Sequence, residues 1–162
     1  MEHKIIDNFL DINIFKEIQN LLTGFNLPWH YQKMINNYHS EDDMYCYFTH
    51  TLFSTSNGYS SYFNKCIPLI KKLDCKALIR VKCNLYPRTQ KIEIHKPHKD
   101  YSYKHKAAIF YINTNNGLTI LKDGTKIKSI ENRLLLFKAY EPHSSSSTND
   151  AKARININFN YF

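Results

Sequence analysis

The part of the chain that follows Asp74 is a succession of short apolar segments separated by turn signals. The turn signals are Asn115–Gly117, Asp123–Gly124 and Asn132. Short strands at regular spacing, with turns of this kind between them, predict a β-sandwich or a β-barrel. The segments predicted as strands are Ala77–Tyr86, Ile92–Asp100, Ala107–Asn113, Leu118–Leu121, Lys126–Ile130, Leu134–Phe137 and Arg154–Phe162.

The first part of the chain has a helical pattern instead. Asp11 can cap a helix that Gly24 ends, and its apolar residues recur at three- and four-residue spacing. A second helix is predicted over Tyr59–Leu73, with a kink or a break at Pro68, and a strand over Met44–Leu52. Helices followed by strands indicate an α+β fold with N-terminal helices packed on one side of a sheet.

The length of 162 residues fits one domain. Within it, residues 1–75 are expected to supply the helices and supporting strands, and residues 76–162 the β core. No apolar run is long enough to span a membrane, and Met1–Asp7 does not read as a signal peptide. The four cysteines show no CxxC spacing, which predicts reduced thiols in a cytoplasmic protein. They are Cys46, Cys66, Cys75 and Cys83.

The chain is basic, with 22 Lys and Arg against 14 Asp and Glu and a net charge of +8. Such a balance invites a nucleic-acid interpretation. Only four of the basic residues are Arg, however, which is the preferred reader of bases and phosphates. Nucleic acid is therefore not the expected partner.

His98 and Asp100 form an HxD pair. In a strand, residues two apart point to the same face, so both side chains can bind one ion. His143, just after Pro142, is the best candidate for a third ligand. Two His and one carboxylate are the facial triad of non-haem Fe(II) oxygenases. An HxD pair on a solvated surface strand is the alternative.

The last predicted strand alternates strictly between polar and apolar residues. Its polar face carries Arg154, Asn156, Asn158 and Asn160, and its apolar face Ile155, Ile157, Phe159 and Tyr161. If the polar face lines a barrel interior, Arg154 requires an anion there, because an unpaired buried charge is very costly. A dicarboxylate would satisfy it with paired hydrogen bonds. An exposed edge strand is the alternative.

With these residues, the sequence resembles the Fe(II)- and 2-oxoglutarate-dependent oxygenases, and most closely their prolyl 4-hydroxylase-like branch. Four further motifs agree, in the family's order. They are NLYPR (Asn84–Arg88), FYIN (Phe110–Asn113), NTNNGLTIL (Asn113–Leu121) and NRLLLF (Asn132–Phe137). The opening IIDNFLD (Ile5–Asp11) is similar more loosely, and small bacteriophage-encoded proteins resemble the chain as well.

The resemblance implies a double-stranded β-helix, or jelly roll. It assigns His98, Asp100 and His143 to Fe(II), and Arg154, Tyr86 and Tyr111 to the co-substrate 2-oxoglutarate. It implies an O2-dependent dioxygenase that hydroxylates a C–H bond and releases succinate and CO2. The substrate is expected to be a protein, a peptide or a small molecule, with prolyl residues as one candidate. A viral member would act in the host cytoplasm.

Other residues near these motifs are expected to play lesser parts. His95 is expected to be structural or to face the substrate, and His105 to lie at the cavity rim or to begin a strand. Ser144–Ser147 is expected to be a solvated loop. The substrate would be chosen by loops such as Gln32–Asp43 and Tyr101–Lys106, and basic residues between Arg88 and Lys106 would surround the mouth with positive charge.

Two other functions stay open. The same iron centre could demethylate nucleic acid oxidatively, although that group usually carries further Arg after the co-substrate Arg, and none follows Arg154. A jelly-roll binding module without enzymatic activity is the third hypothesis. The sequence does not indicate an oligomeric state.

Overall fold

A computed structural model describes residues 3–33 and 46–162. In this part of the chain the fold is mostly antiparallel β-sheet with two short α-helices. The strands are β1 (His3–Ile6), β2 (His30–Gln32), β3 (Tyr47–Ser54), β4 (Gly58–Tyr59), β5 (Leu78–Pro87), β6 (Lys106–Tyr111), β7 (Asn115–Ile120), β8 (Lys126–Ser129), β9 (Leu134–Phe137), β10 (Ser144–Ser145) and β11 (Ala153–Tyr161). The helices are α1 (Ile12–Thr23) and α2 (Ile67–Lys72).

Two sheets build the jelly roll. The larger has the order β1-β9-β6-β11-β5-β3-β2, with β4 paired to β3, and the smaller has the order β10-β7-β8. Arg154 on β11 donates hydrogen bonds to Thr119 on β7 and Ser129 on β8. The smaller sheet therefore covers the polar face of β11, and the predicted jelly-roll architecture is observed.

The opposite face of β11 lies in the main hydrophobic core. Ile155, Ile157 and Phe159 are buried there with residues of both helices. The ring of Phe15 on α1 meets the ring of Phe110 on β6 edge to face, with centroids 6.0 Å apart. The alternation predicted for this strand is confirmed, since its apolar side chains pack on the helical layer and its polar ones face the smaller sheet.

Helix α1 matches its prediction closely. The Asp11 carboxylate accepts a hydrogen bond from the backbone N–H of Asn13 (2.9 Å), and Gly24 follows the last helical residue. Phe15, Ile18 and Leu22 are its buried residues. One amphipathic face thus fixes the helix on the sheet.

The second predicted helix, Tyr59–Leu73, is wrong in length. Gly58 has φ +74°, and the chain there forms the turn into β4 instead of a helix. A short 3₁₀ turn follows at Phe63–Cys66, and α2 begins only at Ile67. Pro68 lies in the first turn of α2, where its missing N–H costs nothing. The N-terminal part is therefore less helical than predicted and contributes strands to the larger sheet.

The predicted strand Ile92–Asp100 is wrong as well. Among the described residues this segment forms isolated bridges, Ile94 to Ser146 and His98 to His143, and no continuous ladder. Pro97 cannot donate to a ladder hydrogen bond, which limits regular pairing here. The other predicted strands are observed within a few residues of their predicted bounds; of Met44–Leu52, the residues before Cys46 lie outside the described part. Neither helix has the length and apolar character of a membrane span.

Candidate metal centre

The structure brings together His98, Asp100 and His143, the three residues predicted as metal ligands. One ligand atom from each lies within 4.8 Å of the others. Two backbone hydrogen bonds, both 2.9 Å, join His98 to His143, and their ring centroids are 4.4 Å apart. Asp100 is held by a backbone hydrogen bond to Ala139 (3.0 Å). The cluster is thus positioned by main-chain pairing rather than by a regular strand.

The protonation states of this cluster suit a divalent metal. Burial lowers the pKa of His143, and its Nδ1 lies 3.2 Å from the carbonyl oxygen of Glu141, which leaves Nε2 as a free ligand atom. Burial alone would raise the pKa of Asp100, but the hydrogen bond with His98 and the charges of His143 and Arg80 hold it well below its usual value. Buried Nδ1 of His98 has no partner among the described residues. This donor set fits Fe(II).

Two further side chains orient the Asp100 carboxylate. Arg80 Nη2 donates to one oxygen (3.3 Å), and Asn158 Nδ2 donates to the other (3.2 Å). Arg80 was missed by the sequence analysis. Alternation along β5 could have placed Arg80 on the same face as Tyr86. Its pairing with Asn160 on the polar face of β11 is known only from the structure.

Arg154 is completely buried in the same part of the molecule. Its guanidinium donates to Ser129 Oγ (2.8 Å), Thr119 Oγ1 (2.9 Å) and the carbonyl oxygen of Ser146 (3.3 Å). All three acceptors are neutral, and no carboxylate of the described residues lies within ion-pair distance. The charge of Arg154 is therefore hydrogen-bonded but not neutralised, which is costly unless an anion binds.

Tyr86 and Tyr111 flank this guanidinium. Their ring centroids lie 5.6 and 5.8 Å from Arg154 Cζ. Tyr111 also donates a hydrogen bond to Thr119 Oγ1 (2.8 Å). Burial raises the pKa of both tyrosines, so both hydroxyls remain protonated at neutral pH and can donate to an anion. The predicted trio of Arg154, Tyr86 and Tyr111 is thus assembled.

One cavity is lined by both groups of residues. It contains the three clustered side chains, Arg154 and Tyr86, together with neighbours from β5, β7, β10 and β11. Its volume is about 30 Å³. The ring of Tyr47 stacks on Tyr86 with centroids 5.4 Å apart.

The prediction that Ser144–Ser147 forms a solvated loop is wrong. Ser144, Ser146 and Ser147 are buried, and Ser144–Ser145 forms β10. The carbonyl oxygen of Ser146 accepts from Arg154, and Ser147 Oγ accepts from the backbone N–H of Glu93 (2.8 Å). A serine run can form either a solvated loop or a buried polar wall. Here it is a wall, because the buried Arg154 packs against it and donates to Ser146.

Gly117 allows Arg154 to reach its place. A Cβ atom at this position would lie 2.5 Å from Arg154 Cδ and 2.7 Å from the carbonyl oxygen of Ser147. Gly117→Ala is expected to displace Arg154 and to cost about 1–3 kcal/mol of stability, as overpacking does. Thermal unfolding and 2-oxoglutarate titration would measure both effects, with metal affinity as the unchanged control. Wild-type affinity for the acid would contradict this role of Gly117.

His95 is buried beside the site. Its Nδ1 is 2.7 Å from Ser145 Oγ, and its ring packs on Tyr86 with centroids 5.1 Å apart. Burial, with the charges of Arg154 and His98, lowers its pKa to about 3. His105 is also buried, 2.8 Å from the Asn160 amide, immediately before β6. Both residues support the walls of the cavity.

The lowered pKa of His95 predicts a pH dependence of stability. Below pH 6.5, His95 of the unfolded chain binds a proton, whereas His95 of the folded protein stays neutral down to about pH 3. The free energy of unfolding therefore falls as the pH falls through this window. Between pH 7 and pH 4.5, metal-free wild type is expected to lose about 2 kcal/mol more than His95→Gln. Urea unfolding at the two pH values measures this. His30→Gln, at an exposed position, serves as control, and equal losses in wild type and His95→Gln would refute the assignment.

Comparison with solved structures places this fold among oxygenases. A prolyl hydroxylase from Trichoplax adhaerens, in complex with a hypoxia inducible factor peptide, is 18% identical, with a TM-score of 0.64 over 99% of this chain and 83% of that one. The viral collagen prolyl hydroxylase of Paramecium Bursaria Chlorella virus-1, in a 2-oxoglutarate complex, is 14% identical, with a TM-score of 0.63 over 99% and 95%.

HygX from Streptomyces hygroscopicus, with nickel and 2-oxoglutarate bound, is 8% identical, with a TM-score of 0.65 over 98% of this chain and 82% of that one. No protein-family model matches the chain, and no curated protein does. At these identities the likeness establishes the fold. The chain thus has the fold of the prolyl hydroxylases and 2-oxoglutarate Fe(II) oxygenases, as its sequence motifs indicated.

Proposed function

We propose that this protein is an Fe(II)- and 2-oxoglutarate-dependent dioxygenase that uses O2 to hydroxylate a C–H bond and releases succinate and CO2. The observation that carries the proposal is one cavity lined at once by a His–Asp–His cluster and by a buried arginine without a counter-anion. Either feature alone would allow other interpretations. Together they match a metal and a diacid bound side by side.

The side chains fit the two ligands in distinct ways. His98, Asp100 and His143 would hold the iron, and Arg154 would bind the distal carboxylate of 2-oxoglutarate with its charge and fixed donors. Tyr86 would donate its hydroxyl proton to the same co-substrate, and Tyr111 would do so after turning its proton away from Thr119. When bound, iron and 2-oxoglutarate together supply the oxidative chemistry that splits the keto acid and hydroxylates the substrate.

The protein's own contribution is binding and orientation. Arg80 and Asn158 hold Asp100 deprotonated and in place as a ligand. Thr119, Ser129 and Ser146 fix the plane of the Arg154 guanidinium before any ligand arrives. Such preorganisation lowers the cost of binding, because these groups need not reorder.

The finer proposal is that the substrate is a prolyl residue of a protein or peptide. Among the structural neighbours, the Trichoplax enzyme holds a peptide of hypoxia inducible factor, and the viral enzyme is a collagen prolyl hydroxylase. These neighbours support a peptide substrate, while the basic composition alone favours an acidic one over a neutral one.

The test is turnover of 2-oxoglutarate. The protein is incubated with Fe(II), 2-oxoglutarate, air and a pool of proline-containing peptides, and succinate is measured against a sample in which a chelator has removed the metal. Mass spectrometry should find a peptide heavier by one oxygen atom. An oligonucleotide pool tests the demethylase hypothesis in parallel. Absence of both succinate formation and 2-oxoglutarate binding would leave the binding-module hypothesis in its place.

A further inference from the structure

Lys82 points to an additional ligand in the cavity. It lies on β5, between Arg80 and Asn84 on the cavity face, and is paired across the sheet with Asn158 of β11. The same cavity is lined by His98, Asp100 and Tyr47. Lys82 is half-buried in this wall, and an ammonium that is partly removed from water needs a compensating partner.

The Lys82 amine has no anionic partner in the described part of the chain. No carboxylate there lies within ion-pair distance of the amine. The amine lies over the ring of Tyr47, 5.8 Å from its centroid. Burial and the charge of Arg80 lower its pKa to about 8, against the opposing effect of Asp100. At neutral pH the amine is thus still mostly charged.

When the charges around the proposed ligands are paired, the Lys82 amine is left without an anionic contact. Arg80 is paired with Asp100 at 3.3 Å. Iron, Arg80, Arg154 and Lys82 would together carry five positive charges, against three negative ones on Asp100 and 2-oxoglutarate. Arg154 would contact a carboxylate of that acid. Lys82 is then the cation that the metal and the co-substrate do not engage. The third component of the reaction, the substrate, is the remaining source of an anion.

We propose that Lys82 binds a carboxylate of the substrate and so places the oxidised C–H bond beside the metal. The inference rests on the proposed function and names the substrate class, a compound or peptide that carries a carboxylate near the reacting carbon. Exposed lysines near the cluster, among them Lys96, Lys99 and Lys104, raise the local concentration of such a substrate.

The test compares matched acidic and neutral probes. One set is capped pentapeptides in pairs that differ only by Glu or Gln at one position, and the other is free amino acids paired with their amides. Binding is measured by calorimetry on zinc-loaded protein with 2-oxoglutarate, without O2. The first set detects a side-chain carboxylate and the second an α-carboxylate.

In wild type, the acidic member of at least one pair is expected to bind about tenfold more tightly than its neutral partner. Lys82→Met should remove this preference, and Lys82→Arg should keep it. Lys71→Met, which removes an exposed lysine on α2, should leave it unchanged. The preference should also weaken as the salt concentration rises.

Equal binding of acidic and neutral probes to wild type, including no binding of either, would overturn the assignment. So would a preference that survives in Lys82→Met. Titration of 2-oxoglutarate alone is run on every variant. If wild type fails to bind this acid, the proposed function itself fails; if it binds the acid normally and shows no charge preference, only the role of Lys82 fails.

Discussion

Arg154→Met is expected to abolish measurable 2-oxoglutarate binding, with an affinity at least roughly 100-fold below that of wild type. The guanidinium is fully buried, and removing one member of a buried charge pair leaves the other charge without compensation. Anaerobic calorimetry with 2-oxoglutarate and zinc-loaded protein measures the loss. Metal affinity should stay within a factor of two or so, since Arg154 does not contact the metal cluster.

Arg88→Met is the matched control, because Arg88 is exposed. It should bind the acid like wild type. The stability of ligand-free Arg154→Met carries further information, since the substitution removes an uncompensated buried charge. Its free energy of unfolding should fall by less than the loss of three hydrogen bonds alone would suggest. An unchanged affinity of Arg154→Met for 2-oxoglutarate would remove the co-substrate from this part of the cavity.

Asp100→Ala is expected to lower metal affinity by more than about 100-fold and to eliminate succinate formation, since even changes to groups that support metal ligands cost 10–100-fold. Arg80 and Asn158 also lose their acceptor, which should cost about 1–3 kcal/mol of stability. The visible absorption of Co(II) added to the metal-free protein reports the ligand field directly.

Asp123→Asn serves as control, because Asp123 is an exposed carboxylate in the turn between β7 and β8. Asp100→Asn complements the alanine variant, since it keeps the shape of the side chain and removes its charge. Circular dichroism verifies that each variant is folded. Full succinate formation by a folded Asp100→Ala would mean that the cluster is not the reaction centre.

Much of the site could be predicted because β11 has a period of two. Strict alternation fixes which side chains share a face, so Arg154 and the asparagines had to lie opposite Ile155 and its apolar neighbours. The order of the HxD pair, His143 and Arg154 then carried the resemblance to the oxygenases. Tyr86 was assigned to the co-substrate by that resemblance, and the structure pairs it with Arg154 across β5 and β11.

Other features depend on pairing between distant segments and could not be read from local patterns. Asp100 receives Arg80 because of the register between β5 and β11, which the alternation in either strand does not specify. The His98 segment looked like a strand because its apolar residues alternate, but Pro97 interrupts it. Ser144–Ser147 was predicted to be solvated, but serine hydroxyls form hydrogen bonds equally well with water and with buried polar groups. Composition therefore could not separate a loop from a buried wall.

The extended conformation of β11 has a consequence for which acids the protein binds. Arg154 and Asn158 lie on one strand, four residues or about 13 Å apart along it, and Asn158 holds Asp100. The strand fixes this backbone spacing, and only side-chain rotation can change the separation of the groups that would bind the acid. Oxo-diacids with a longer or shorter carbon chain should therefore compete poorly with 2-oxoglutarate, whatever the loops at the mouth admit as substrate.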